Sequence, residues 1–284
     1  MTESLLSAQS ALWAVIGDAA LRLEAAGVPS AAHDAEQLAA GALGVPRSRL
    51  RSAPFFTTEQ FTAFSGSVAR RAGREPLQHI LGTAPFRHLE LAVGPGVFVP
   101  RPETEVLVDA VLAATPHGGL VVDLCAGSGA IALSVAHERP DTSVHAVERD
   151  EAAFAWLARN AAGSAVATHL ADAADALPAL DGTVDVVASN PPYVRSGRVL
   201  EPEVARFDPA PALWGGPDGL EVVRIVERAA ARLLRPGGFV AIEHEDTHGE
   251  EAPALLTLSG CWTDIQDHRD LTGRARFVTA RRAA

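Results

Sequence analysis

The sequence contains only two cysteines in 284 residues, Cys125 and Cys261, which lie far apart and match no metal-ligand spacing. This scarcity argues against a disulfide-stapled scaffold and against a structural zinc site. No basic segment followed by an apolar core begins the chain, and no apolar run reaches membrane-spanning length. We therefore expect a cytoplasmic protein that contacts no membrane and binds no metal.

Positive charge is also scarce: the sequence has 24 Lys and Arg residues but 35 Asp and Glu residues, which gives a formal net charge of −11. Proteins that bind nucleic acid stably usually present a basic face to the phosphates. The acidic balance therefore favours a protein partner over DNA or RNA. A hydrophobic content of 48% is ordinary for a globular chain, and the length suits one large domain with a smaller one.

The spacing of apolar residues predicts a small helical domain over residues 1–74. One helix is expected from Leu5 to Ala26, and a second from Ser30 to the stop signal at Gly44. A third is expected to begin at Thr57, which with Gln60 has the spacing of a capping box.

Residues 75–100 change in character, because short apolar runs are broken repeatedly by glycine and proline. The simplest interpretation is a β-hairpin linker with strands at Phe86–Val93 and Val97–Val99. A helix is expected directly after it, since Pro102 occupies a first helical position and Glu103 and Glu105 fall in the first turn.

The remainder, residues 101–284, alternates between strand and helix patterns, which predicts an α/β domain with a doubly wound, Rossmann-like parallel sheet. The two last strands are separated by too few residues for a crossover helix, so they are expected to form an antiparallel C-terminal hairpin. The predicted strands are Leu120–Leu124, Ser143–Glu148, Ala165–His169, Val184–Ser189, Gly238–Glu243, Thr263–His268 and Arg276–Ala280.

A glycine-containing turn follows the first of these strands and predicts a cofactor site. Cys125, Ala126, Gly127, Ser128 and Gly129 lie between the strand and the next helix. Glycines here allow a ligand to approach the backbone and the free N–H groups of the helix start. The spacing of Gly127 and Gly129 suits either a dinucleotide or S-adenosylmethionine.

Two acidic residues follow the next strands in the same domain. Glu148 ends the second strand, where a carboxylate can accept hydrogen bonds from both ribose hydroxyls of a cofactor. Asp172 follows the third strand and could face an adenine ring. Both positions are compatible with either cofactor, so they predict a nucleoside-containing ligand without naming it.

The motif Asn190-Pro191-Pro192-Tyr193 after the fourth strand favours methyl transfer over hydride transfer. An amide or exocyclic amine nitrogen is a poor nucleophile, and two acceptors can orient its N–H groups. The Asn190 side-chain oxygen and the Pro191 carbonyl can be these acceptors, held by a proline-stiffened loop. Tyr193 offers a flat face for a planar group or a sulfonium. Asn190 also adjoins the expected cofactor.

The segment His244-Glu245-Asp246-Thr247-His248 matches the zinc-protease pattern His-Glu-x-x-His. That pattern needs a helix to bring both histidines to one face. Here it follows a predicted strand and contains residues that favour a loop. We therefore expect no metal at this segment.

With these motifs the chain resembles the release factor glutamine methyltransferases, the protein-(glutamine-N5) methyltransferases of the PrmC/HemK family. The resemblance covers nearly the whole chain and includes an N-terminal helical domain. It rests on Arg74–Leu77, Phe98–Glu105, Asp123–Ala130, Ser189–Val194, Phe207–Leu213, Gly215–Gly219, Arg235–Gly238 and Glu243-His244.

The resemblance implies a class I methyltransferase fold, S-adenosyl-L-methionine as cofactor with S-adenosyl-L-homocysteine as product, and peptide-chain release factors as protein substrates. The glutamine of their Gly-Gly-Gln motif would be methylated on N5, and the N-terminal domain would recognise the protein. It also implies site roles. The cofactor would be bound by Cys125–Gly129, Glu148, Asp172, Ala173 and Asn190. The glutamine would be bound by Phe98, Asn190, Pro191, Pro192 and Tyr193. Of these residues, the catalytic ones would be Asn190, Pro191 and Tyr193.

Two positions depart from the family pattern. Many relatives carry glycine at Cys125, so this side chain must point away from the cofactor or narrow the site. Many carry an aromatic residue at Ala173, so the adenine is expected to be packed more loosely here.

Two alternative substrates use the same chemistry. One is a glutamine of a ribosomal protein, and the other is the N6 amine of adenine in a nucleic acid, which requires base flipping. A cofactor-binding module without catalysis and a dehydrogenase remain as further alternatives, but neither accounts for Asn190-Pro191-Pro192-Tyr193.

Overall fold

The computed structural model describes the backbone of residues 2–284 and the side chains of residues 10–284. The described chain forms two compact units. Unit 1 comprises residues up to Gly82 together with Leu200–Phe207, and unit 2 comprises Thr83–Val199 and Asp208–Ala284. No helix within residues 2–284 is long and apolar enough to cross a membrane.

Helices and strands alternate over most of the described chain. The helices are α1 (Thr2–Ala25), α2 (Ala31–Leu43), α3 (Thr58–Ala72), α4 (Leu77–Leu81), α5 (Glu105–Ala114), α6 (Ala130–Glu138), α7 (Glu151–Ala161), α8 (Pro202–Phe207), α9 (Glu221–Leu233) and α10 (Glu251–Ser259). The strands are β1 (Thr83–Phe86), β2 (Leu89–Ala92), β3 (Leu120–Leu124), β4 (Ser143–Glu148), β5 (Ala167–Leu170), β6 (Val184–Ser189), β7 (Leu234–Glu243), β8 (Trp262–Arg269) and β9 (Ala275–Arg282).

Unit 1 contains the three helices that the apolar spacing predicted. The capping box at the start of α3 is present, with Thr57 accepting from the Gln60 backbone and the Gln60 side chain accepting from the Thr57 backbone. Helix α2 ends at Gly44 in the left-handed region, as its stop signal indicates. The core is built from buried side chains of α1, α2, α3 and the segment between them, including Leu12, Leu23, Leu38, Leu50, Phe56 and Phe64.

Unit 1 also contains α8, which the sequence did not assign to it. Glu203 of α8 accepts from Arg71 at 3.0 Å and from Arg74 at 2.7 and 2.5 Å. Arg71 is buried and also donates to the buried Asp34 at 2.7 Å. Buried charges are stable only when they are paired, so these ion pairs account for the place of α8 in this unit.

Unit 2 contains a seven-stranded sheet in the order β5-β4-β3-β6-β7-β9-β8. Strands β3 to β7 run parallel, while β9 is antiparallel to both β7 and β8. The predicted doubly wound sheet with an antiparallel C-terminal hairpin is confirmed. Two large clusters of buried apolar side chains pack against the sheet, one including Val122, Leu124 and Ile242 and the other Val121, Ala146 and Ala188.

The hairpin ahead of the sheet differs from the prediction. Its strands are Thr83–Phe86 and Leu89–Ala92, whereas the predicted pairing of Phe86–Val93 with Val97–Val99 is wrong. The chain reverses at Arg87, which takes a left-handed φ of 50° without glycine, so no turn signal was visible. Val97 and Val99 are buried instead in a small apolar cluster with Ala153 of α7.

Candidate active site

The loops that carry the sequence motifs meet at one edge of the sheet in unit 2. Leu124 at the end of β3 lies beside Val147 of β4 on one side and beside Ser189 of β6 on the other. Ser189 lies in turn beside Ile242 of β7. Because β4 lies on one side of β3 and β6 on the other, the strand order changes direction at β3. This edge is therefore a topological switch point, where α/β sheets bind their ligands.

The glycine turn after β3 is shaped by left-handed backbone. Gly127 and Gly129 have φ of 56° and 88°. A Cβ on Gly129 would lie 2.8 Å from the Leu157 side chain, so glycine is required there, whereas a Cβ on Gly127 would meet no atom within 4 Å. The backbone of the turn therefore packs closely against neighbouring side chains at Gly129, whereas there is open space beside Gly127. Ala126 and Ser128, the two neighbours of Gly127 in the chain, are buried.

Cys125 begins this turn with a φ of 61°, a conformation that favours glycine. Its side chain packs against the apolar cluster around Leu124, so it points toward the core. Burial, with the charges of Glu148 and Asp123, raises the pKa of the thiol to about 12. At neutral pH the sulfur is therefore protonated, and it does not act as a nucleophile.

Glu148 joins the end of β4 to the glycine turn. Its Oε2 accepts from the Gly127 N–H at 2.9 Å, and its Oε1 accepts from the Asp150 N–H at 2.8 Å. A carboxylate has about four acceptor positions, so both oxygens can accept one further hydrogen bond each. Glu148 is thus held in one orientation with capacity left for two hydroxyl donors.

A cavity of about 460 Å³ lies beyond Glu148, at the ends of β4 and β5. Asp172 lines this cavity, and its side chain accepts a hydrogen bond from the Ala174 N–H. Ala173, by contrast, is buried in the apolar core, so its side chain does not line this cavity. The residues around the cavity are Arg149, Asp150, Leu170, Ala171, Asp172 and Pro211.

These residues fit S-adenosyl-L-methionine. Gly127 leaves open space at the turn, Glu148 retains acceptor capacity for a ribose, and the cavity presents both polar and apolar surface to a purine. The exposed Leu170 supplies apolar surface to the cavity. Of the predicted cofactor residues, Asp172 lines the cavity, Glu148 is bonded to the glycine turn, and Cys125 and Ala173 pack against the core.

The Asn-Pro-Pro-Tyr loop begins beside this turn and is tied down by hydrogen bonds. The Asn190 Nδ2 donates to the Thr104 Oγ1 at 3.2 Å, and the Thr104 hydroxyl donates to Glu243 at 2.7 Å. The Tyr193 hydroxyl donates to the other Glu243 oxygen at 3.0 Å. Pro191 and Pro192 are buried. Tyr193 is therefore hydrogen-bonded to Glu243 directly, and Asn190 is linked to Glu243 through Thr104.

Tyr193 is the only tyrosine in the chain. Its burial and the neighbouring Glu243 charge raise its pKa well above 10, so the phenol stays protonated. It therefore donates a hydrogen bond to Glu243 and keeps its proton, so its ring is an uncharged surface.

Phe98 is supported from one side by a cation. The Arg101 guanidinium carbon lies 4.8 Å from the Phe98 ring centroid, and Arg101 donates to Asp208 at 2.7 Å. The side chain of Asp208 is fully buried, and burial raises the pKa of its carboxyl above its ordinary value. Because Arg101 covers one face of Phe98, only the opposite face is left for a substrate.

We expect Arg101→Ala to lower the free energy of unfolding by about 2 kcal/mol, because the buried Asp208 carboxyl would lose its ion-pair partner. Urea denaturation followed by circular dichroism measures this. Arg224→Ala, which breaks an Arg–Asp pair with both side chains more than 40% exposed, is the matched control and should cost less than about 1 kcal/mol. Adding Asp208→Asn to Arg101→Ala should restore part of the loss, and strictly additive costs would contradict this pairing.

Sequence reasoning missed Thr104 and assigned no role to Glu243. Glu243 ends β7, the neighbour of β6, so the rule that strand ends carry functional side chains could have singled it out. Thr104 precedes α5 and had no comparable signal, because its contact with Asn190 joins residues that are 86 positions apart.

The histidines of His244-Glu245-Asp246-Thr247-His248 lie in a loop with a short 3₁₀ turn, which confirms the loop interpretation. The Nε2 of His244 lies 3.1 Å from Asp267, and the Nε2 of His248 lies 3.1 Å from the Asp218 carbonyl. Both rings are thus engaged in hydrogen bonds with other parts of unit 2. Over residues 10–284, no group of three His, Cys, Asp or Glu side chains is arranged to hold a metal ion.

Comparison with known proteins gives two matching family models. Residues 14–82 match the PrmC N-terminal domain, and residues 89–207 match the methyltransferase small domain. Among solved structures, a methyltransferase from Pyrococcus furiosus superposes with a TM-score of 0.52 at 19% identity, covering 69% of this chain and 90% of the other. This likeness concerns the fold alone.

Curated relatives are much closer in sequence. A release factor glutamine methyltransferase of Streptomyces coelicolor is 51% identical over 279 residues, which is 96% of this chain and 98% of the relative. A protein of the same name from Mycolicibacterium smegmatis is 52% identical over 265 residues, 92% of this chain and 94% of the relative. Both matches span the helical unit and the sheet together.

Proposed function

The chain belongs to the release factor glutamine methyltransferase family, and from this premise we propose how its own residues perform the reaction. The protein is an enzyme that transfers a methyl group from S-adenosyl-L-methionine to the N5 amide nitrogen of a glutamine. The substrate is the Gly-Gly-Gln motif of peptide-chain release factors, so the activity serves translation termination. We place it in the cytoplasm, where translation occurs.

One observation carries the assignment of the site. Leu124 and Ser189 are paired in register, and the Ser189 hydroxyl donates to the Leu124 carbonyl at 2.6 Å. The residues that follow them begin the glycine turn and the Asn-Pro-Pro-Tyr loop. A cofactor held by the turn and an amide held by the loop would therefore lie side by side. Such alignment can contribute on the order of 7–11 kcal/mol to a bimolecular reaction.

The cofactor supplies an electrophilic methyl group on a sulfonium. Glu148 binds the ribose, the backbone from Cys125 to Gly129 lines the methionine end, and Asp172 and Leu170 flank the purine. Asn190 contributes an acceptor, its Oδ1, on the side away from Thr104. The Pro191 carbonyl contributes a second acceptor, so the two N–H groups of the substrate amide are both engaged.

The cofactor would supply the methyl carbon for a new bond to the substrate nitrogen and would keep the electron pair of its broken carbon–sulfur bond on sulfur. The amide N–H becomes acidic only as the new bond forms, so its proton can leave to water afterwards. No base is needed before attack. Tyr193 and Cys125 are both held in their protonated forms, which suits this order.

The glutamine side chain is proposed to lie between Phe98 and Tyr193. Arg101 fixes the Phe98 ring from behind, and Glu243 fixes the Tyr193 ring by its hydroxyl. Both rings are thus oriented before the substrate arrives, which lowers the entropy that binding must overcome.

We assign recognition of the release factor to unit 1, and we expect no stable binding to nucleic acid, since the net charge of −11 opposes it.

The deciding experiment is a methyl-transfer assay with labelled S-adenosyl-L-methionine and four substrates in parallel. These are a release factor, the same factor with its Gly-Gly-Gln glutamine replaced by alanine, ribosomal proteins, and unmethylated DNA. Label on the intact release factor alone supports the proposal. Label on a ribosomal protein or on DNA would keep the chemistry but replace the substrate with one of the two alternatives.

A further inference from the structure

A short chain of hydrogen bonds leads from the Asn190 side chain into the buried interior. It runs from Asn190 Nδ2 to Thr104 Oγ1 at 3.2 Å, and from Thr104 Oγ1 to Glu243 Oε2 at 2.7 Å. Thr104 and Glu243 are only 3% and 1% exposed. Water therefore has little access to these bonds, and each bond has a single direction set by its two partners.

The direction follows from how many protons each group carries. An ionised carboxylate only accepts hydrogen bonds, and a hydroxyl has one proton to donate. Thr104 uses its proton in the hydrogen bond that it donates to Glu243. Toward Asn190 the Thr104 oxygen can therefore only accept a hydrogen bond. The atom of Asn190 that faces Thr104 must then be the NH₂ group, which turns the Oδ1 to the opposite side.

We propose that Glu243 is a positioning residue, which through Thr104 holds the Asn190 amide with its oxygen toward the substrate nitrogen and through Tyr193 holds the ring beside it. This inference rests on the proposed function, because it explains why Asn190 presents an acceptor and not a donor. A substrate amide with two N–H groups would meet repulsion from a flipped Asn190, whose NH₂ group would face another NH₂ group.

The charge on Glu243 is set by its surroundings. Burial raises its pKa to about 7, while hydrogen bonds from Thr104 and Tyr193 and the charge of Arg276 oppose that rise and Glu103 adds to it. Arg276 is itself paired with Asp270 at 3.0 Å. Directly after Glu243 in the chain come His244, which bonds with Asp267, and Glu245, which pairs with Arg198.

Protonation of Glu243 would reverse the chain. A neutral carboxyl can donate to Thr104, which can then donate to Asn190, and an Asn190 that accepts this bond has turned its oxygen away from the substrate. Turnover should therefore require the ionised form. As pH falls through about 7, kcat should decline, and it should recover as pH rises.

The test compares Thr104→Val, Thr104→Ser, Glu243→Gln and the matched control Glu227→Gln. Glu227 is a second buried glutamate of unit 2 and accepts from the Trp262 indole at 2.7 Å. For each protein, kcat and KM for release factor are measured between about pH 6 and pH 9, and the cofactor dissociation constant is measured by calorimetry. The last measurement reports whether each variant is folded.

We expect Thr104→Val to lower kcat about 10-fold, with the cofactor dissociation constant unchanged, because misplacement of Asn190 affects alignment and not cofactor binding. Thr104→Val and Glu243→Gln should both lose the decline of kcat below neutral pH. Thr104→Ser keeps the hydroxyl and should recover most of the turnover, and Glu227→Gln should keep the wild-type profile. A Thr104→Val protein with wild-type kcat and pH profile would overturn the inference.

A second readout needs no substrate. The chain has two asparagines, Asn160 and Asn190, so ¹⁵N-asparagine labelling yields two side-chain NH₂ signals, and Asn190→Ala identifies one of them. The Asn190 signal should shift with a midpoint near pH 7 in the wild type and in Glu227→Gln, but not in Thr104→Val or Glu243→Gln. The Asn160 signal, whose NH₂ bonds the Ala92 and Ser128 carbonyls, should stay constant.

The two readouts separate the two possible failures. If the Asn190 NH₂ signal shifts with pH but the protein does not methylate release factor, the proposed substrate is wrong and the positioning role of Glu243 stands. An Asn190 signal that is constant with pH, in a protein that methylates release factor, would sink the positioning role of Glu243 alone.

Discussion

Replacement of Asn190 by alanine is expected to lower kcat for release factor methylation about 1000-fold, on the scale of losing one pre-positioned hydrogen-bonding group that acts on the reacting atoms. The amide nitrogen is a weak nucleophile, so it depends on acceptors that hold its lone pair toward the methyl carbon. Alanine removes the Oδ1 and leaves only the Pro191 carbonyl. Single-turnover assays with labelled cofactor measure the loss in the chemical step directly.

The cofactor dissociation constant should change little in this variant, because the turn from Cys125 to Gly129 and the Glu148 carboxylate are untouched. Asn190→Asp is the informative partner. It keeps an acceptor oxygen and the shape of the side chain but cannot donate to Thr104, so its activity should fall between those of the wild type and Asn190→Ala. If Asn190→Ala retained wild-type turnover, the Asn-Pro-Pro-Tyr loop would have no place in the mechanism.

Much of the fold follows from local signals in the sequence. The strands β3, β4 and β6 have the predicted bounds, because each is a short, largely apolar run that differs in composition from the residues on either side. The capping box at Thr57 and the stop at Gly44 likewise depend only on neighbouring residues. Where chemistry within a few residues decides the structure, reading the sequence suffices.

The features that the sequence did not predict have the opposite character. The hairpin turn at Arg87 uses a left-handed arginine whose side chain is held by Glu138 and Asp109, residues that lie far along the chain. The place of α8 in unit 1 depends on Glu203 meeting Arg71 and Arg74, more than a hundred residues earlier. Neither arrangement leaves a local pattern, because the stabilising partners are brought together only by the folded chain.

The candidate site shows the same division. Glu148, Asn190 and the glycine turn could be placed at one edge, since strand ends in a parallel sheet converge. The chain from Asn190 through Thr104 to Glu243 could not, because it needs β7 beside β6 and the start of α5 above both. The motif thus predicts which residue orients the substrate amide, while the fold determines which way the side-chain amide of that residue points.

Glu148→Ala is expected to raise the dissociation constant of S-adenosyl-L-methionine at least about 100-fold, because two hydrogen bonds to a charged acceptor are lost, each contributing about 1.5–3 kcal/mol. A further loss is expected from the turn itself, since the Gly127 N–H and the Asp150 N–H both bond this carboxylate. Isothermal titration calorimetry measures the constant. At saturating cofactor, kcat should recover much of the wild-type value, because Asn190 and Pro191 remain in place.

Glu148→Gln separates the two contributions to binding. Its Oε1 can still accept one backbone N–H, but its NH₂ group opposes a second donor, so the dissociation constant should lie between those of the wild type and Glu148→Ala. Asp172→Ala is the comparison variant, because Asp172 is proposed to flank the purine and not the ribose; its side chain is half exposed, accepts from the Ala174 N–H and lies 3.7 Å from Arg149. Its effect should be smaller than that of Glu148→Ala. Equal weakening by Asp172→Ala and Glu148→Ala would mean that negative charge at this edge, and not a specific ribose contact, governs cofactor binding.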